Sequence, residues 1–395
     1  MEHRADTVAN AARPPCYNNR MSERCDVLII GGGVIGLTTA YFLAGEGVRV
    51  TVVDKGDFGQ EASWAGAGIL PSANFRHART PIEQLLGLSA ERFPALSAEL
   101  REQTGIDNGY LRSGGLEVME QASAMLATEW RSEGIDFALL HEQELHRLEP
   151  ALAPTVRLAY HLPEMAQLRN PRHLKALLAG CARRGVHLRP GCPVHAFERQ
   201  GNRITAVRTG LGGRSAERFL LAAGAWSDAL LEQVGWRPGV QPVRGQIALL
   251  NAGRPLFRHI LLDGARYLVP RPDGRVLVGS TEEDVGFDKR TTAGAIAELL
   301  ALAGSLVPAL ADVHLERCWA GLRPGSPDGL PFLGPVPGSD NLFVAAGHFR
   351  SGIQLSPGTG LVMTDLLLGR QPAVPLEPFR LNRPAAAPAP LPFRS

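Results

Sequence analysis

Four residues at fixed spacing, three glycines and an aspartate, carry the strongest chemical signal in this chain. The run Asp26-Val-Leu-Ile-Ile-Gly31-Gly32-Gly33-Val-Ile-Gly36 ends an apolar stretch, and Asp54 ends the next one. Gly31 permits a tight turn, Gly33 lets a pyrophosphate approach the backbone, and Gly36 lets the following helix pack closely. Phosphates bind at such a turn because the first N–H groups of a helix are unpaired and its N-terminus is positive. Asp54 is placed to accept hydrogen bonds from an adenosine ribose. The motif sits between two β-type runs with the acid in register, so it predicts dinucleotide binding rather than a plain glycine turn. It leaves NAD and FAD both open.

The elements that position these residues follow from apolar periodicity. Asp26–Ile30, Ile35–Ala44 and Val48–Asp54 read as strand, helix and strand. Residues 80–150 read mostly helical, broken by a strand at Leu116–Met119. Asn170-Pro171 predicts a helix start with Asn170 as cap and Pro171 in the first turn. Short strands at Val186–Arg189, Val194–Glu198, Ile204–Thr209 and Phe219–Ala223 read as the dinucleotide sheet resumed after an insertion. Arg244–Leu250, Ile260–Leu262, Tyr267–Arg271 and Val276–Ser280 predict an antiparallel sheet, and Thr292–Val307 an amphipathic helix. Leu342–Ala346 reads as a buried strand, Gly347–Pro357 as a loop and Gly358–Leu368 as a helix. The fold class expected is α/β: a discontinuous Rossmann-like dinucleotide domain interleaved with an α+β substrate domain containing an antiparallel sheet.

Composition narrows the function classes. The 395 residues are 45% hydrophobic and 20% charged, with net charge +2. That suits a two-domain globular enzyme, and no Lys/Arg block suggests nucleic acid. The five cysteines are scattered without Cys-x-x-Cys spacing, so neither disulfides nor a metal site is expected, and a reducing, cytoplasmic setting is. No apolar run reaches the roughly 20 residues that span a bilayer. Residues 1–24 read as a disordered extension, with Met21 a second candidate start, and 371–395 as a flexible Pro/Ala-rich tail.

Three later segments favour FAD over NAD, because an NAD enzyme has usually completed its cofactor site within the first βαβ units. They are the small-residue stretch Ala62–Ile69, the strand at Val194, and the loop Gly347-His-Phe-Arg-Ser-Gly-Ile-Gln354 leading into a helix. On these and on Tyr267-Leu-Val-Pro-Arg271, Val278-Gly-Ser-Thr281 and Trp319-Ala-Gly-Leu-Arg-Pro-Gly-Ser-Pro-Asp-Gly329, the chain resembles the D-amino-acid-oxidase-like flavoproteins. It is most similar to their glycine oxidase branch, associated with the thiazole arm of thiamine biosynthesis. The resemblance spans about residues 25 to 370.

That resemblance implies non-covalent FAD contacts at Val34, Ile35, Asp54, Lys55, Ala62, Ser63, Ala67, Gly68, Ile69 and Val194. It extends them along His348, Phe349, Arg350, Ser351, Gly352, Ile353 and Gln354. It implies substrate contacts at Tyr267, Arg323 and Arg350, and places FAD binding on residues 25–92, 155–232 and 317–370, with substrate binding on 93–154 and 233–316. The implied reaction is oxidative deamination of glycine, sarcosine or a small D-amino acid by hydride transfer to flavin N5. Oxygen is the acceptor, and an imine and peroxide are the products. The alternative is a dehydrogenase passing electrons to a quinone. A homo-oligomer stays open.

Physical reasoning supports the substrate residues. An arginine fork donates two parallel bonds to a carboxylate and keeps its charge. Asp273-Gly274 predicts a two-residue hairpin turn, which sets Tyr267 opposite Ser280 with Glu282 as a diagonal neighbour on the same face. On that register Glu282 approaches the substrate amine. His348 is expected to pack on the flavin or support the loop rather than act as a base, Trp319 to be core or pocket wall, and Cys318 to be a plain buried thiol.

Overall fold

The computed structural model describes residues 25–384; the extension expected at 1–24 and the last part of the tail lie outside the described residues. Two large sheets organise the chain. The first runs Phe332–Pro335, Leu342–Ala346, Ala216–Leu221, Cys25–Ile30, Val50–Val53 and His187–Arg189 in spatial order. All its pairings are parallel except that of the Phe332–Pro335 edge. Its centre is Cys25–Ile30, whose apolar run from Val27 to Ile30 suits a strand covered on both faces. Helix Val34–Gly45 is buried at every residue from Val34 to Leu43, because other helices enclose it. Helices Pro81–Thr104, Asn170–Arg183 and Gly352–Leu367 share its core.

The second sheet has eight strands, in the order His314–Gly325, Gln241–Asn251, Arg275–Gly279, Arg266–Pro270, Ile260–Asp263, Gly115–Val118, Leu158–Leu162 and Ala138–His141. Only the Ile260–Asp263 and Gly115–Val118 pair is parallel. Its strands alternate between a face packed on Ala67, Ile69 and Trp130 and a separate core closed by helix Ala293–Leu306.

Several expectations are corrected. The 80–150 region holds the long helix Pro81–Thr104 and, one residue from its expected place, the strand Gly115–Val118, but it also holds an unexpected strand at Ala138–His141. The long helix is well signalled: Thr80 accepts from the Glu83 N–H at 3.3 Å, Pro81 opens it, and Gly105 closes it at φ +72°. Asn170 is the first helical residue rather than the cap, and its side chain donates to the Ser63 carbonyl at 2.8 Å. Val194–Gln200 and Arg203–Thr209 form a separate three-stranded antiparallel sheet with Gly212–Arg214, outside the parallel one. The last helix begins at Gly352, with Pro357 inside it. Pro357 cannot donate to the Ile353 carbonyl, and the Ser356 hydroxyl donates there instead at 2.8 Å.

The hairpin register also differs by one residue: Tyr267 pairs with Gly279, not Ser280. Pro272 cannot donate within a ladder and suits the first central position of a type I turn. The turn is therefore Arg271 to Gly274, with the Gly274 N–H on the Arg271 carbonyl at 3.0 Å and Gly274 at φ +82°. Sheet membership crosses two expected boundaries, since Leu158–Leu162 and His314–Gly325 belong to the antiparallel sheet. Residues 371–384 are packed rather than loose. Val374 and Phe379 are buried in the helical core, and Arg383 grips Asp328 through two bonds of 2.7 Å.

Candidate active site

The glycine turn opens a crevice of about 380 Å³ at the C-terminal ends of the parallel strands, where open α/β sheets bind ligands. Gly31 has φ +110°, and a Cβ there would lie 2.2 Å from the Ala222 carbonyl oxygen. A Cβ on Gly36 would lie 2.0 Å from the Gly31 oxygen, so this residue sets helix against turn rather than lining the space. Gly33 caps the helix without a side chain, and Gly33, Val34 and Ile35 face the crevice. Ser63 accepts from the Val34 N–H at 2.9 Å, tying the second wall, Ala62 and Ser63, to the turn.

Asp54 and Lys55 line the same space. The Asp54 carboxylate accepts from Gly32 N–H at 2.7 Å and Gly56 N–H at 2.9 Å, and burial pushes its carboxyl above the usual range. The Lys55 ammonium sits 3.1 Å from the Trp226 ring centroid, a cation–π contact that the sequence did not signal. Val194, His348, Phe349, Arg350, Gly352 and Ile353 complete the rim. Phe349 has φ +46°, a left-handed conformation that is strained for an aromatic residue and held by its surroundings. His348 is buried against Thr359, with Nε2 3.1 Å from the hydroxyl, and burial pushes its pKa down to about 3. It is a neutral loop support. Ser351 is buried, and Gln354 faces a different cavity, its amide directed at the Pro71 carbonyl at 3.4 Å.

A second space of about 80 Å³ shares Ala62, Gly66, Arg323, Arg350 and Ile353 with the crevice. Ala67, Gly68, Ile69, Tyr267, Ser280 and Glu282 also line it. The Arg323 fork donates to the Thr281 carbonyl at 3.1 Å and the Ser280 hydroxyl at 2.6 Å. Among the described residues no carboxylate pairs with it, and burial lowers its pKa. Burial raises the pKa of Tyr267, whose hydroxyl is hydrogen-bonded to the Ser280 side chain. Arg350 is instead ion-paired with Glu282. The two guanidinium groups expected at a carboxylate are thus brought to one cavity but held differently.

Sequence reasoning missed the floor beneath these side chains. A Cβ on Gly245 would lie 2.3 Å from both Arg323 terminal nitrogens, and one on Gly279 would lie 2.6 Å from the Tyr267 hydroxyl oxygen. Isolated glycines within strands are the signal that was available. Also missed was Arg271, which is buried and donates to the Gln167 side chain and the Ala67 carbonyl, both at 2.6 Å. It fixes the Ala62–Ile69 wall, and burial pushes its pKa down to about 9. Trp319 braces the same wall by donating to the Ala65 carbonyl at 3.0 Å.

Comparison with known proteins agrees with this geometry. Glycine oxidase from Pseudomonas aeruginosa is 38% identical, covering 91% of this chain and 98% of its own. The crystal structure of glycine oxidase from Geobacillus kaustophilus superposes with a TM-score of 0.87 at 36% identity, covering 92% of this chain and all of that one. Iminodiacetate oxidase from Chelativorans sp. BNC1 superposes at 0.80 with 30% identity, covering 90% of this chain and 98% of that one. The family model described as FAD dependent oxidoreductase matches residues 26–366, which takes in the glycine turn, both cavities and the two arginines, and the chain belongs to that DAO family.

Proposed function

We propose that this chain oxidises glycine or a similarly small amino acid, using bound FAD and oxygen and releasing an imine and hydrogen peroxide. The observation that carries the reading is Arg323. It is a guanidinium with no carboxylate partner among the described residues, beside Tyr267, in a cavity that opens onto the dinucleotide crevice. The crevice suits FAD. Gly33 supplies no side-chain cap, so the first-turn N–H groups beyond that of Val34, which Ser63 holds, are offered to a pyrophosphate, and Gly31 has no room for any side chain. Gly31, Gly33, Val34, Ile35, Asp54, Lys55, Ala62, Ser63 and Val194 would hold it, with Gly347–Ile353 against its other end. When bound, the flavin supplies the two-electron acceptor for the substrate Cα–H.

The side chains bind and orient. Arg323 takes the substrate carboxylate, and the Tyr267 hydroxyl adds a donor. The ionisable groups lining the substrate cavity are Tyr267, Glu282, Arg323 and Arg350, with no histidine or lysine among them. A hydrogen that leaves with its electron pair needs no strong base, so alignment is the protein's task. The similarity to the glycine oxidase branch supports a fate for the imine in thiazole formation for thiamine, and the setting we infer is the cytoplasm. No helix among the described residues is long and apolar enough to cross a membrane. Aerobic incubation with glycine, sarcosine, D-alanine and D-proline tests the reading: peroxide should form one-for-one with substrate consumed. Turnover that requires an added quinone and makes no peroxide would assign the dehydrogenase alternative instead.

A further inference from the structure

Arg323 and Arg350 line one small cavity and each sits within the other's field, yet only one of them is available for an anion. Arg323 spends its fork on a carbonyl and a hydroxyl, both neutral. Arg350 is paired through its terminal nitrogen with the Glu282 carboxylate, which reaches in from just beyond strand Arg275–Gly279. Glu282 is 42% exposed at its side chain and Arg350 21%, so the pair lies at the cavity's edge rather than in the core. Tyr267 is neutral, because burial raises its pKa from an already alkaline value. The lining therefore carries two guanidinium charges against one carboxylate, an excess that one substrate carboxylate neutralises.

We propose that Glu282 determines specificity by occupying Arg350, which restricts the site to substrates with a single carboxylate. This rests on the amino-acid oxidase reading and deepens it. A substrate with a second carboxylate meets Glu282 as a like charge, and finds Arg350 already bonded. Like-charge juxtaposition is a strong means of rejecting a wrong ligand. Removing the Glu282 charge leaves a second free fork in the same cavity, suited to an amino dicarboxylate such as iminodiacetate or D-aspartate.

Calorimetric titration of the holoenzyme with acetate and malonate, neither of which can be deaminated, tests this directly. Wild type should bind malonate more weakly than acetate. Glu282→Gln keeps the side-chain shape, and Glu282→Leu removes its acceptors. Both should tighten malonate by about tenfold or more, the scale of one charge-assisted contact, while acetate moves by less than about threefold. Adding Arg350→Met to Glu282→Gln should abolish the gain. In turnover, the Glu282 variants should raise kcat/KM for iminodiacetate relative to glycine. Malonate affinity unchanged in both variants, or a gain that survives loss of Arg350, would overturn the proposal. If the malonate gain appears but no amine reduces the flavin, the oxidase reading fails and the role of Glu282 stands. If glycine is oxidised and the gain is absent, the role of Glu282 fails alone.

Discussion

Arg323 is a half-buried cation whose partners are all neutral, and its position depends on what is missing beneath it. A single Cβ on Gly245 would collide with both terminal nitrogens of the fork. Arg323→Met removes the carboxylate's charged partner, worth about 1.5–3 kcal/mol, so KM for glycine should rise roughly 10- to 150-fold. Gly245→Ala should approach the same loss by displacing an intact arginine. Steady-state kinetics with a thermal melt check this: a Gly245→Ala protein with unchanged KM would mean the fork's seat does not matter. Arg323 was legible in the sequence because Gly-Leu-Arg-Pro is a specific motif. Its floor was not, because a strand glycine gives no hint of which side chain lies over it. The expected register erred through the same locality. Asp273-Gly274 suggested a two-residue turn, and only Pro272, which cannot donate, makes the three-residue loop the better fit.

At the scale of elements, the βαβ start was readable because its signals are local and periodic. Leu342–Ala346 was equally so, as an apolar run between polar turns. What escaped reading depends on distant partners. The strand His314–Gly325 is largely exposed over its first half, and only its ladder with Gln241–Asn251 defines it. Residues 371–384 look like a loose Pro/Ala tail in composition. Yet Arg383 lies 3.8 Å from the Phe332 ring centroid and donates to Asp328 and to the Leu330 and Pro331 carbonyls, with 7% of its side chain exposed. Arg383→Ala would strand the equally buried Asp328 carboxylate, a loss of about 3–5 kcal/mol. Chemical denaturation should show that loss with flavin binding retained in the folded fraction. A change under about 1 kcal/mol would mean the segment is only draped on the surface.

Across the whole molecule, buried ionisable groups shape the stability profile. His173 and His348 have pKa values pushed down by burial to about 4 and about 3. An unfolded chain binds their protons below about pH 6.5, so their stabilisation is lost as pH falls through that range. Glu117 is buried on the antiparallel sheet, and desolvation, helped by Asp263, pushes its pKa up to about 8. There the folded state holds the extra proton, so stability falls as pH rises from about 4.5 to about 8. Two histidines outweigh one glutamate on the acid side, giving a maximum between about pH 6 and 7. Melting temperatures across pH 5 to 9 should trace that dome, and Glu117→Gln should flatten its alkaline side. An alkaline limb that is identical in the variant would remove Glu117 from the account.

The central claim is that the two large sheets meet at a flavin site where Arg323 and Tyr267 hold a small amino acid for oxidation. Anaerobic rapid mixing of the holoprotein with glycine tests it most directly. The account predicts loss of the oxidised flavin absorbance in wild type, saturating with glycine, and prompt recovery when air is admitted. It predicts the same bleaching in Arg323→Met only at far higher glycine. Flavin that stays oxidised with glycine, sarcosine and small D-amino acids alike, in a protein that binds FAD and is folded, would contradict it.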